Sequence, residues 1–362
     1  MSEQQRQEDA ASRQDVRPSS PMIQRVRLGR PRWFVLVWLG MALALAVLAS
    51  LLWLVGRWNQ PYGSGERLVE IPRGYSLQRI AQRLEDEQVI SSAWLFRLYV
   101  HMRSSASQLQ AGEYLFEQPL SMAQAAEMVA RGDIHYHKAV VREGLDLEEI
   151  ADHLSSQGWG ERQRLLQLMR DPSWIADLDP QAQDLEGYVF PDTYLFPRSA
   201  QAAQVLRNMV ERTRHIWDQR RQAQANELGM SLRQVLTLAS LIEKEAARAD
   251  ERRLISSVFH NRLRQNIKLD CDPTVIYAVK RQGEYDGIIH RSDLQIDSPY
   301  NTYRYPGLPP GPIANAGLGS IDAALDPAST EFLFFVARND GSHVFSRTYR
   351  EHERAVQRFQ RD

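Results

Sequence analysis

A chain of 362 residues, 43% of them hydrophobic, can bury more than one core, and its length suggests two or three domains. The formal net charge of −1 excludes a protein that holds nucleic acid through bulk positive charge, so no nucleic-acid partner is expected. One cysteine, Cys271, excludes an internal disulfide and leaves the compartment open.

Residues 1–32, rich in Ser, Gln, Glu, Arg and Pro, read as a disordered tail. Trp33 to Val55 is an uncharged run of 23 residues, long enough to span a bilayer as a helix. Trp33, Trp38 and Trp53 suit its two interfaces. Val55-Gly-Arg-Trp58 fits a signal-peptide cleavage site poorly, so the expectation is an uncleaved anchor. Arg25, Arg27, Arg30 and Arg32 precede the run, and the positive-inside rule puts the tail in the cytoplasm and the remaining body outside.

After a short linker over 61–66, a pattern repeats at an offset of 70 residues. Gly74, Leu77, Ile80, Ala81 and Leu84 match Gly144, Leu147, Ile150, Ala151 and Leu154. Each copy follows a β-prone stretch, so each predicts a strand, a glycine turn and a helix capped by Ser76 or Asp146. The first copy continues through a helical stretch, 91–102, to an alternating segment at 111–116 that reads as a returning strand. Strand, helix, helix, strand over some 50 residues resembles the LysM module, a small glycan-binding unit, and a LysM-like subdomain is expected over 66–135. A generic α+β packing unit has the same pattern.

In the second copy, 162–170 reads as a helix stopped by Pro172. An aromatic segment follows at 185–196, then a long amphipathic helix over 200–226. Ser231 caps the next helix, with Gln234 completing a capping box. Asp250 opens another helix, running to about Gln265, and the remainder is loop-rich, with a strand at 332–336 and a basic C-terminal helix. The fold class expected is α+β: a transmembrane helix, the LysM-like βααβ unit, and a catalytic domain over 136–362.

The capped helix carries Glu243 and Glu245. At about 100° per residue, Leu238, Leu241, Ile242, Glu245 and Ala249 share a face, while Glu243 points about 200° from Glu245. A carboxyl group held against apolar neighbours resists ionising, as a general acid near neutral pH must. A surface helix with solvated glutamates has the same spacing. Tyr188 to Phe196, Asp272 to Tyr277, and Ser298 to Tyr303 running into Gly307 to Ile313 are aromatic, polar or proline-rich, as a sugar-binding groove would be. A stiff surface loop with core aromatics is the plainer reading. His135 and His137 lack a third metal ligand. Ser240 and Lys244 are one residue too far apart for an S-x-x-K dyad.

Six segments in order, Glu186-Gly-Tyr-Val-Phe-Pro-Asp-Thr193, Glu243-Lys-Glu245-Ala, Asn261-Arg-Leu263, Asp272-Pro-Thr-Val-Ile-Tyr277, Tyr300-Asn-Thr-Tyr303 and Gly307-Leu-Pro-Pro-Gly311, resemble the endolytic murein transglycosylase (YceG-like) family. The resemblance runs from about residue 66 to the C-terminus. It implies non-hydrolytic cleavage of peptidoglycan glycan strands between MurNAc and GlcNAc, leaving 1,6-anhydro-MurNAc ends, by a single-pass inner-membrane enzyme with a periplasmic catalytic domain. It further implies Glu245 as the catalytic acid; Asn301, Tyr303, Asp272 and Tyr188, from the aromatic and polar segments, are the substrate-binding candidates, and no metal or organic cofactor is expected. Peptidoglycan synthases (penicillin-binding proteins) are the protein partners expected. The family pattern implies a small hydroxyl residue at 271; Cys271 replaces it, a thiol near the groove without an assigned role. Two rivals stand beside this reading: a non-catalytic glycan-binding scaffold that recruits cell-wall synthases, and a muramidase in which Glu243 or Asp272 supplies a base.

Overall fold

Helix α1 (Arg32–Asn59) forms because nothing between Trp33 and Val55 interrupts an apolar, charge-free run. The computed structural model describes residues 32–103, 108–117, 119–338 and 340–360, so the tail expected over 1–32 lies outside the described residues apart from Arg32. Among the described residues α1 is the one helix long and apolar enough to cross a membrane. Its last turn is docked: Trp58 is only 8% exposed and meets the Tyr99 ring edge-on at 5.3 Å.

The unit that receives Trp58 contains β1 (Pro61–Tyr62), β2 (Arg67–Ile71), α2 (Leu77–Asp86), α3 (Ala93–Met102), β3 (Gly112–Phe116), β4 (Leu120–Ser121) and α4 (Met122–Arg131). Ser76 caps α2 by accepting from the Arg79 N–H, and Ile80, Ala81 and Leu84 are its buried face. Strands β2 and β3 pair antiparallel, Val69 opposite Tyr114. With Phe96, Val100 and Phe116 these residues build a core separate from the rest of the chain.

The second copy folds the same way and goes further than the sequence suggests. Strand β5 (His137–Val140), helices α5 (Leu147–Ser156) and α6 (Arg162–Met169), and strand β6 (Thr193–Phe196) again run strand, helix, helix, strand. Strands β5 and β6 pair antiparallel, Ala139 opposite Tyr194. Asp146 caps α5, and Ile150, Ala151 and Leu154 are buried at the positions of Ile80, Ala81 and Leu84. The closing strand was hidden in the aromatic segment because 23 residues separate α6 from it. Unlike the first unit, this one shares its core with the helices that follow. The two units meet where the Glu113 carboxylate and the His137 imidazole pair.

Beyond β6 come α7 (Ala202–Ile216), α8 (Gln219–Glu227), α9 (Leu232–Glu245), α10 (Arg252–Arg264), α11 (Asp272–Gln282), α12 (Leu318–Leu325), the antiparallel hairpin β7 (Phe334–Ala337) and β8 (His343–Ser346), and α13 (Tyr349–Phe359). The single helix expected over 200–226 is two. Asp218 accepts from the Arg221 N–H and starts α8 afresh, while Arg221 Nη1 donates to the Ile216 carbonyl at the end of α7. The architecture is mixed α+β, with α9 at its centre.

Candidate active site

Helix α9 owes its place to its sequence. The Ser231–Gln234 capping box starts it, and every residue from Val235 to Ile242 is buried. The expected apolar stripe is therefore a largely apolar cylinder, with Thr237 and Ser240 buried in it, enclosed by α8, α10, α11 and α12. Burying its Val, Leu and Ile side chains stabilises by about 1.5–3 kcal/mol each, enough to carry a poorly solvated carboxyl group at one end. That group is Glu245, the last residue of the helix. Its side chain keeps a partly exposed edge, and protein surrounds the remainder.

Glu245 opens into a cleft of about 460 Å³ bounded by Asp270, Asp272, Tyr303, the β7–β8 hairpin and α13. Burial is the largest influence on its carboxyl and pushes the pKa up. The Cys271 thiol, 3.2 Å from Oε1, pulls it back by hydrogen bonding; the negative charge of Asp272 raises it further, and His343 opposes that. The net direction is upward. A place in the final turn of α9, where carbonyl ends gather negative potential, acts the same way.

Cys271 is held rigidly. It lies immediately before α11, where its N–H donates to Thr302 Oγ1 at 3.0 Å and its carbonyl accepts from Thr274 Oγ1 at 2.6 Å. It is 1% exposed, and burial together with Glu245 raises its pKa far above the usual thiol range. The thiol is thus a fixed proton donor to Glu245 and not a reactive thiolate. Asp272 begins α11 and accepts from Tyr303 Oη at 2.5 Å. The structure thus brings Glu245, Asp272 and Tyr303 to one cleft.

Asn301 and Tyr188 sit elsewhere. Asn301 is fully buried; its amide nitrogen donates to the Leu294 and Ile296 carbonyls, and its oxygen accepts from the Tyr303 N–H. It shapes the loop that presents Tyr303 and leaves neither polar end for a sugar. Tyr188 is likewise buried, its hydroxyl donating to Asp179 at 2.6 Å. Glu243 is turned away from Glu245: Oε2 accepts from the Gly317 N–H that opens α12, and Oε1 lies 3.6 Å from Arg252. Ser240 is buried, donating to the Thr237 carbonyl and accepting from the Ile313 N–H, while Lys244 reaches the Gly144 carbonyl, so they form no dyad.

Sequence reasoning missed the far wall. Phe334, Phe335 and Tyr349 line the cleft, and the His352 ring stacks on Phe334 at 5.2 Å. Tyr349 is 66% exposed, a free aromatic face. His343 is fixed by Glu251, which accepts from both its N–H and Nδ1. The alternation of 332–336 marked a strand, but no local pattern says that it faces Glu245. Also missed was the scaffold role of Asn315, which bridges Leu145, Glu186 and Val189. Glu186 is buried there with its pKa well above normal, chiefly from burial.

A second cleft, about 490 Å³, lies between α5, α6 and α11. Its Lys280, Arg162, Arg170 and Arg281 are all occupied by carboxylate partners. Glu245 is absent from its walls.

A carboxyl group whose pKa is raised by burial, at the floor of an open trough with an aromatic wall, defines an α+β protein equipped for general-acid chemistry. Residues 69–358 match the YceG-like family, and the chain belongs to it. An endolytic murein transglycosylase from Bacillus subtilis (strain 168) is 34% identical over 307 residues, 80% of this chain and 84% of its own. One from Streptococcus pneumoniae serotype 2 is 25% identical over 320 residues, 80% of this chain and 57% of its own. A crystal structure of a yceG-like protein from Listeria monocytogenes aligns with a TM-score of 0.56 at 36% identity, over 80% of this chain and 98% of that one.

Proposed function

We propose that this protein is an endolytic murein transglycosylase, cutting peptidoglycan strands between MurNAc and GlcNAc. The observation that carries the mechanism is the place of Glu245, at the end of buried helix α9 and facing the cleft, where burial raises its pKa. Protonated Glu245 donates to the glycosidic oxygen as the bond to MurNAc C1 breaks. The resulting carboxylate takes the proton from the C6 hydroxyl of the same MurNAc, whose oxygen closes onto C1. Glu245 ends protonated, no water is consumed, and a 1,6-anhydro end results. Because the nucleophile is part of the substrate, a second carboxylate to activate water is unnecessary, unlike the pair in ordinary glycosidases. Tyr303 and Asp272 line the trough beside the acid, and Tyr349 offers a stacking face for a pyranose ring.

In this reading α1 anchors the protein in the inner membrane with its N-terminus cytoplasmic and the catalytic body periplasmic. The βααβ unit at 67–116 is LysM-like and contacts glycan, and the enzyme limits the length of strands delivered by penicillin-binding proteins. The test is mass spectrometry of the strand ends left by wild type and Glu245→Gln on purified glycan. Anhydro ends from wild type, lost in the variant, are expected. Reducing ends would indicate a hydrolase, and cell-wall function undiminished in the variant would indicate a scaffold.

A further inference from the structure

The junction between α1 and the first βααβ unit carries an apolar groove that the catalytic reading does not use. It has a volume of about 590 Å³ and is lined by Ala49, Ser50, Trp53 and Leu54 of α1 and by Trp94 and Leu98 of α3. Trp94 is 60% exposed and Trp53 61%, on facing sides of it. Left in water, two indoles and a trough of this size would be an unfavourable surface.

Continuity with α1 indicates what fills it. Ala49 precedes Val55, the end of the apolar run, by six residues; at about 1.5 Å per residue that is about 9 Å below the end of the span. Trp94 and Leu98 therefore flank a part of α1 that lies within the membrane if α1 spans it. The unit cannot swing away, because Trp58 is buried in its core against Tyr99. Trp94 and Leu98 are one helical turn apart, so the apolar edge of α3 is continuous. Arg57 follows Trp53 by one turn and Arg97 follows Trp94 by three residues, placing cations beside the indoles. Aromatic rings flanked by arginines are the composition of a protein edge seated at the headgroup level.

We infer that the Trp94–Leu98 edge of α3 is immersed in the outer leaflet beside α1, with phospholipid acyl chains filling the groove and headgroup phosphates meeting Arg57 and Arg97. The first unit then lies on the bilayer as a second membrane contact, and the tether is a clamp, not a swivel. This rests on α1 spanning the membrane, which the experiment checks separately.

The experiment uses the full chain in phospholipid nanodiscs, in a Cys271→Ser background, with a fluorophore on one introduced cysteine: Ala44→Cys in mid-span, Trp94→Cys, or Glu331→Cys on an exposed ectodomain site. Nitroxide-labelled lipids report depth. The expected result is that the probe at 94 is quenched several-fold more than at 331, by shallow nitroxides, while the probe at 44 responds to deep ones. Quenching at 94 equal to that at 331, with 44 still quenched, overturns the inference and leaves the anchor standing; no quenching at 44 removes the anchor itself. A probe at 94 shielded from both lipid and aqueous quenchers means that protein covers the groove, which also overturns the inference. Wild-type chain with diazirine-bearing acyl chains avoids any folding defect of the variant: cross-links in the peptide 93–102 are expected, and their absence counts against the inference.

Discussion

The Cys271 thiol donates to Glu245 Oε1 at 3.2 Å from a position fixed by Thr274 and Thr302. A donor to a carboxylate favours its ionised form, so the thiol holds the Glu245 pKa lower than burial alone would set it. Glu245 must be protonated to act, so activity falls as pH rises through that pKa. Cys271→Ala should move the alkaline limb of kcat/KM to higher pH, and Cys271→Ser, with a stronger O–H donor, to lower pH. The lost sulfur packing in the alanine variant should cost about 1 kcal/mol of stability. An unmoved limb in both variants would show that the contact does not tune the acid.

Asp272 acts in the opposite sense. Its charge raises the Glu245 pKa, so Asp272→Asn should shift the same alkaline limb to lower pH. The variant also separates the general-acid scheme from a muramidase that uses Asp272 as base. In the first, anhydro ends persist with an altered pH profile; in the second, turnover collapses at every pH. Product-end analysis across a pH series makes the distinction.

Stability should register the buried acid too. A carboxyl group whose folded pKa exceeds its unfolded value contributes stability below the unfolded pKa, and this is lost as pH rises through the folded pKa. For Glu245 the unfolded reference is 4.5 and the folded value is higher. Glu245→Gln cannot titrate, so wild type should lose more Tm than the variant between pH 4 and neutrality. At neutral pH the variant should be at least as stable as wild type, yet slower by about 10²–10⁴ if proton transfer is its main loss. Thermal unfolding of both proteins at a series of pH values checks the first part, and turnover of glycan the second.

How much of this was legible depends on range. The repeat at 74–84 and 144–154 was visible because turn, cap and buried face lie within eleven residues, and both copies fold accordingly. The directions of Glu243 and Glu245 followed from helical angle alone. Burial did not: α9 is enclosed on all sides from Val235 to Ile242, and the side chain of Glu243 is only 8% exposed. What separates the two glutamates is their partners, Gly317 and Arg252 for one and Cys271 for the other, and the hydrogen bonds to Cys271 and Gly317 cross 26 and 74 residues of sequence. Asn301 looked like a sugar ligand because asparagine beside aromatics suits one. Its bonds to Leu294, Ile296 and Tyr303 make it a loop brace, a distinction that requires coordinates. The His343 and Tyr349 wall was invisible for the same reason.

Glu243 should behave as structure. Its Oε2 accepts from the N–H of Gly317, the N-cap residue of α12, at 3.1 Å, and a buried donor left unpaired costs about 1–3 kcal/mol. Glu243→Ala should lower stability by that order in chemical denaturation while anhydro products continue to form and the alkaline limb stays in place. Abolished chemistry in a variant that remains folded would instead make Glu243 a participant.

Gly187 is where the second unit is locked to the proline-rich loop. Its φ is +84°, and a Cβ there would sit 2.6 Å from Pro312 Cβ and closer still to Pro312 Cγ. A proline ring cannot rotate aside, so either the loop or the turn must move. The left-handed conformation costs a non-glycine residue about 1–2 kcal/mol, and overpacking adds about 1–3 kcal/mol. Together these are a large share of the roughly 5–15 kcal/mol that a domain possesses. The neighbouring Glu186 accepts from Leu147, Tyr277 and Asn315, so displacing the turn also strips partners from a buried carboxyl group. Gly187→Ala should therefore unfold cooperatively at markedly lower denaturant concentration than wild type and accumulate poorly. An unfolding free energy within about 0.5 kcal/mol of wild type, the range of an ordinary surface substitution, would mean that this turn is not held against Pro312.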